Sequence, residues 1–319
     1  MARSESARNF RAITTVYSYL PPEIRELISE IAREYPHAVF LRSVSPGLDD
    51  FHEPIIGKLV VSHADDIPHL RGFQFRYPIS GSEEGIREFM TVLQTRGVKQ
   101  IYMLQGDYEG YREVARTREI HTVEVAIDVN PRHLERGYWF ISNPSARNGV
   151  HLPDGFIYDV CEAGHKVFYD LSYLGTTEPY VYNLSHPNIV AAAISFSKPY
   201  GLFYYRIGFM FSRENVPSLY ANKWFKNIFS LIIAERVLEK LDLKKFASKY
   251  KALQREIIER IFEESGLCLR PSEAFLLAHL HENEVRGLST ETIQLLQRFK
   301  RAEWYRFCLT PYFLELEKR

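Results

Sequence analysis

Residues 194–209, ISFSKPYGLFYYRIGF, hold one lysine among apolar, aromatic and small residues, with Arg206 eight positions later and Gly208 two beyond it. An unpaired charge is costly to bury, so an amine at the end of an apolar run needs a partner or a chemical task. Lysine amines condense with aldehydes, and partial desolvation lowers their pKa toward the range in which the neutral form is populated. Ser195 and Ser197 flank Lys198, and Arg206 follows where it can reach an anion. A solvated lysine beside a glycine turn is the ordinary alternative, and the apolar flanks fit it poorly.

Other residues with chemical potential also follow apolar runs. Ser80-Gly81-Ser82 comes after GFQFRYPI and before a helical pattern, an arrangement that binds phosphate or simply caps the helix through Ser80 and Glu83. Gly106-Asp107-Tyr108 follows KQIYMLQ and offers a ring for stacking or for packing. Asn143-Pro144-Ser145-Ala146-Arg147-Asn148-Gly149 follows YWFIS and reads equally as a turn. Asp170, with Tyr173 three residues on, follows KVFY; a carboxylate there holds a protonated ring nitrogen or caps a helix. Together they supply an anion cradle, a stacking ring, a carboxylate, an amine and an anion clamp, in an order that one cofactor, pyridoxal phosphate, would use.

The elements that must position them are legible as short apolar runs. GFQFRYPIS, KQIYMLQ, HTVEVAI, YWFIS, KVFYD, AAAISF and IGFMFS each read as buried strands. Between the first two, EEGIREFMTVLQTRG puts Ile86, Phe89, Met90 and Leu93 on one helical face. The alternation predicts an α/β fold, a mostly parallel sheet flanked by helices with a smaller α+β lobe, and the polar residues lie where such sheets collect ligands. The expected division is an N-terminal helical segment over 1–60, a large cofactor-binding domain over 61–215, and linking helices with a C-terminal small domain over 216–319.

Composition narrows the function classes. Forty basic residues balance forty acidic ones in 319, so nothing draws the chain to nucleic acid or to an anionic membrane. Cys161, Cys268 and Cys308 are widely spaced, no run reaches the length of a membrane span, and MARSESARNFRAITT lacks the apolar core of a secretory signal; the expected location is cytoplasmic. Asp49, Asp50, His52 and Glu53 read as a solvated loop rather than a metal site, and His279 with His281 lacks a third ligand.

FSKPYGLFYYRIG resembles the lysine segment of the fold-type I pyridoxal-phosphate enzymes of the aspartate aminotransferase-like (class I/II) family. FYDLSYLG resembles their F-D-x-A-Y segment, PISGS their phosphate loop, and WYRFCLTP their substrate-arginine strand. The chain is similar to a compact variant of that family. The resemblance implies that Lys198 condenses with the cofactor aldehyde and shuttles the α-proton, and that Asp170 pairs with the ring nitrogen. Tyr173 and either Asn143 or Asn148 would meet the ring oxygen, and Tyr108 would stack on the ring. Ser80, Gly81, Ser82, Ser195, Ser197 and Arg206 would hold the phosphate, while Arg306 would grip the substrate α-carboxylate.

The resemblance further implies a homodimer with its active site at the subunit interface, and transamination between an L-amino acid and a 2-oxo acid. Elimination, decarboxylation or cyclisation is the alternative, and a non-catalytic cofactor-binding protein a more distant one. Departures from the family are NPSARNG in place of its asparagine motif, Pro199 directly after the lysine, and no identifiable tyrosine for the neighbouring subunit's phosphate. Arg71, Arg76 and Arg147 are candidates for binding a second substrate carboxylate.

Overall fold

The computed structural model describes residues 10–34 and 51–317. Asp49 and Asp50 lie outside these. The seven apolar runs form seven strands: β1 (Phe75–Ile79), β2 (Gln100–Leu104), β3 (His121–Val125), β4 (Tyr138–Ser142), β5 (Lys166–Leu171), β6 (Ile189–Ser195) and β7 (Gly208–Ser212). They make one sheet in the order β1-β7-β6-β5-β4-β2-β3. β2, β3, β4, β5 and β6 pair in parallel, and β7 runs antiparallel to both its neighbours, β6 and β1.

Side chains alternate across this sheet, as pleating requires. Phe140, Phe168, Ala193 and Met210 pack on one face beneath Phe89 of the helix Ser82–Thr95. Trp139, Ile141, Tyr169, Ile194 and Phe209 pack on the other, in the core shared with both ends of the described chain. Both faces are covered over β2 and β4 to β7, which is why these strands read as continuous apolar runs; β3, expected to be buried, is an edge strand in which only Val125 is buried.

The expected helical region contains Pro217–Asn222, Ile228–Lys240 and Leu243–Ser265. Asn227 and Asp242 cap the latter two, accepting from Ser230 N and Lys245 N, and Gly266 at φ +71° stops the last. A smaller antiparallel sheet follows, ordered β10 (Lys300–Arg301), β11 (Trp304–Cys308), β9 (Leu277–His281), β8 (Arg270–Pro271). Ile13 bridges to Cys308 at its edge, so the N-terminal segment completes the C-terminal lobe.

One expectation fails locally. Asp170 does not cap a helix, because residues 172–188 contain none; its carboxylate instead accepts the Ser172 N–H at 3.0 Å in a local turn. Gly175, Pro179 and Pro187 punctuate that stretch and prevent a helical period. Among the described residues no helix is long and apolar enough to cross a membrane, and no cluster of three metal-ligating side chains forms.

Candidate active site

The carboxyl ends of β2, β4, β5 and β6 open on one cleft, joined by the turns after β1 and before β7. Its cavity is about 130 Å³ and opens to solvent. Gly81, Ser82, Tyr108, Asp170, Tyr173, Ser195, Ser197, Lys198 and Arg206 all line it, so nine residues from five separated segments converge.

One end is built for an anion. Gly81 takes φ +84° immediately before the helix Ser82–Thr95, directing the helix N-terminus at the cleft. A Cβ at Gly81 would lie 3.0 Å from Arg206 Nη2, so only glycine lets the loop approach the guanidinium. Arg206 itself adopts φ +51°, and no described carboxylate pairs with it. Ser197 Oγ is buried with no hydrogen-bond partner. Ser80 is not among the lining residues, and the S-x-x-E cap does not form as expected: the Ser80 N–H donates to Glu84, not Glu83, at 2.5 Å.

Asp170 is 3% exposed at the carboxyl end of β5, in register with Ser142 of β4, and its carboxylate accepts from the Ser172 hydroxyl, which also bonds the Ser82 hydroxyl at 2.7 Å. Burial lifts its carboxyl pKa to about 6, against the lowering effect of donors from Ser172 and Tyr111. The Tyr111 hydroxyl donates to Oδ2 at 2.8 Å. Tyr108 is one turn earlier and packs edge-on against Tyr111, ring centroids 5.3 Å apart; a Cβ at Gly110 would collide with the Tyr108 ring.

Lys198 lines the same cleft. Burial first, and then the charges of Arg306 and Arg206, lower its pKa to about 8. Its amine donates to the Val16 carbonyl and lies 5.8 Å from the Phe203 ring centre. The cleft continues past Lys198 into a second chamber lined by Thr15, Val16, Tyr17, Arg301 and Arg306. Arg306 is 7% exposed on β11, donates to the Ala146 and Thr14 carbonyls, and keeps Nε without a partner. No described carboxylate pairs with it. Thr14 and Val16 thus place backbone carbonyls on the two functional cations.

The asparagines are placed differently from either expectation. Asn143 follows β4 through a cis bond to Pro144, but its side chain donates to the Tyr169 hydroxyl at 2.7 Å and accepts from Leu152 N. Asn148 accepts from Val150 N. Neither lines the cleft; Ser142 and Ala146 do, held by Asp107, which accepts from Ser142 N, Ala146 N and Tyr108 N. Both asparagines are spent on shaping the loop.

Asp107, Tyr111, Ser142 and Ser172 were not anticipated. Asp107 stood in a noted triplet, and Tyr111 falls one helical turn after Tyr108, but neither carries a signal of its own. Arg147 pairs with Glu303 at 3.0 Å, and Arg76 bonds the Phe73 and Arg71 carbonyls; Arg301, paired with Glu109 at 2.8 Å, is the further arginine of the chamber.

No protein-family model and no curated protein sequence matches the chain. Solved structures do. Histidinol-phosphate aminotransferase from Sinorhizobium meliloti, in complex with pyridoxal-5'-phosphate, is 16% identical with a TM-score of 0.64, covering 97% of this chain and 89% of its own. YbdL from Escherichia coli, with a methionine aminotransferase function, is 14% identical with a TM-score of 0.67 over 97% and 91%. L-Threonine-O-3-phosphate decarboxylase from Porphyromonas gingivalis is 14% identical with a TM-score of 0.63 over 96% and 98%. The chain has the fold of these enzymes, fold type I.

Proposed function

We propose that the chain is a pyridoxal-phosphate-dependent aminotransferase acting on an L-amino acid and a 2-oxo acid. The observation that carries this reading is a neutralisable amine, a buried carboxylate and an uncompensated anion cradle lining one cleft, beside a buried arginine without a counter-ion. The side chains present fit the cofactor. The partnerless Ser197 Oγ and unpaired Arg206 suit its phosphate, and the narrow gap at Gly81 leaves the space a Cβ would fill. Asp170, ionised above about pH 6, suits its ring nitrogen.

When bound, pyridoxal phosphate supplies an aldehyde for amine capture and a protonated ring that accepts electrons from the substrate Cα. The chain's residues then have distinct tasks. Roughly one Lys198 in ten is neutral at pH 7 with a pKa near 8, enough for the amine to react and to take the α-proton on Nζ. Asp170 keeps the proton on the ring nitrogen, with Tyr111 and Ser172 stabilising its anionic form. Tyr108 would stack on the ring, and Tyr173 would hydrogen-bond its phenolic oxygen. Arg306 exchanges the Thr14 carbonyl for the substrate α-carboxylate and so orients Cα before Lys198.

Two copies are proposed to form the working unit. Tyr204 is 89% exposed and Phe225 81%, on segments joined by the Ser230 Oγ–Tyr205 carbonyl hydrogen bond (2.6 Å), a surface suited to burial against a second subunit. Decarboxylation is a second reading, favoured by the match to L-threonine-O-3-phosphate decarboxylase over nearly its whole length.

A spectral titration separates them. Purified protein with pyridoxal phosphate should acquire a visible band that Lys198→Ala lacks. An L-amino acid should bleach it and a 2-oxo acid restore it; carbon dioxide release with unaided return of the band would favour decarboxylation. No band in the wild type refutes the cofactor reading.

A further inference from the structure

Lys226 is buried while its neighbours are not. In Lys223-Trp224-Phe225-Lys226-Asn227 the two aromatic rings face outward, Phe225 at 81% exposure, and the Lys226 side chain is turned inward at 8%. This inverts the usual preference, in which aromatic rings are buried and lysine ends are solvated. The inward amine lies 2.6 Å from each oxygen of Glu84. Glu84 is the third residue of the helix Ser82–Thr95, and its carboxylate also accepts the Ser80 N–H.

The pair therefore stands directly behind the loop that faces Arg206. An acidic side chain in the first turn favours the helix by itself, yet here a second anion is to be received at the same N-terminus. An unneutralised Glu84 would repel it, and the low exposure of both groups leaves little water to screen that repulsion. We infer that Lys226 is a positioning residue for the anion cradle: it cancels the Glu84 charge and fixes the carboxylate that holds Ser80, so the Gly81–Ser82 turn is preset for a phosphate dianion. This rests on the pyridoxal phosphate reading above.

The test compares pyridoxal phosphate with pyridoxal, which lacks only the phosphate, by absorption titration of each variant. Lys226→Met should weaken pyridoxal phosphate about tenfold, as expected for one unscreened charge near a dianion, and leave pyridoxal unchanged. Glu84→Gln, which keeps an acceptor for Ser80 but frees the lysine charge, should tighten pyridoxal phosphate several-fold and raise the affinity of competing inorganic phosphate. The double variant Glu84→Gln/Lys226→Met should recover most of the affinity lost in Lys226→Met. Equal weakening of both cofactor forms, or no recovery in the double variant, would overturn the inference and leave the pair a structural prop. If Lys226→Met does not fold, Glu84→Gln decides alone: unchanged or weaker phosphate affinity overturns it. A wild type that binds neither form refutes the cofactor reading itself, and this inference with it.

Discussion

Replacing Arg306 by methionine should leave the fold intact and remove substrate recognition, a combination that few buried arginines would give. The guanidinium is 7% exposed, donates only to two backbone carbonyls, and has no described carboxylate partner. Burial first, and then the charge of Arg301, pull its pKa down, although an arginine stays charged. Removing it strands the Ala146 and Thr14 carbonyls, at about 1–3 kcal/mol each. It also relieves the desolvation of an unpaired ion, a penalty of several kcal/mol. These terms oppose each other, and methionine preserves much of the volume, so the net change should lie within about 2 kcal/mol of zero. In a chain of this size that is a melting shift of no more than about 5 °C. Binding has no such offset: a charge-assisted fork to the α-carboxylate contributes about 2–4 kcal/mol, so kcat/KM for the amino acid should fall roughly 30- to 1,000-fold. Lysine, a point charge on a shorter reach, should not restore it. Thermal melts beside steady-state kinetics read both arms. A melting temperature lowered by more than about 10 °C, or kinetics unchanged in a folded variant, would show the arginine to be structural and refute the reasoning.

Three further outcomes are expected. Capture of pyridoxal phosphate should accelerate with pH through a midpoint near 8, not above 10, as followed by stopped-flow absorbance; because the folded pKa is lowered from the ordinary 10.5, Lys198→Met should be more stable than wild type below about pH 8, the advantage shrinking as pH rises from 8 to 10.5. Tyr111→Phe removes a donor to the Asp170 carboxylate, so the acid limb of a pH–rate profile, expected near pH 6, should move upward and cofactor affinity should fall about tenfold, consistent with a hydrogen bond to a charged group. Gly81→Ala forces a Cβ to 3.0 Å from Arg206 Nη2 at a φ of +84°, and should weaken pyridoxal phosphate more than pyridoxal in the same titration; equal weakening would place the strain elsewhere.

The strands and the long helices were legible because burial on both faces writes itself as apolar runs, and amphipathic burial as a 3.6 period. Lys198 was legible for a related reason, since a charge set in such a run has few innocent explanations. The β5–β6 connection shows a limit of pattern reading: an apolar run followed by an aspartate is compatible with a helix cap, and with no helix from 172 to 188 Asp170 is instead a strand-end carboxylate held by Tyr111 and Ser172. The asparagines show another. Their spacing after β4 matched a ring contact, but the cis Asn143–Pro144 bond and the bonds to Tyr169 and Leu152 give that side chain a different task.

What the sequence alone determined was the inventory and the order: seven strands, ionisable and polar side chains in the turns beside them, and an arginine on a late strand. These are properties of local composition and periodicity, so no folded context is needed to see them. The tertiary structure decided which of these groups remain unspent. Arg147 and Arg306 are both buried arginines, yet one is satisfied by Glu303 and the other meets only carbonyls; Tyr108 and Tyr111 are one turn apart, yet only one reaches Asp170. Charge compensation depends on partners brought from far along the chain, as when the Arg147 guanidinium meets the Glu303 carboxylate 156 residues away. That pairing is set by sheet register and lobe packing, to which no local sequence pattern refers.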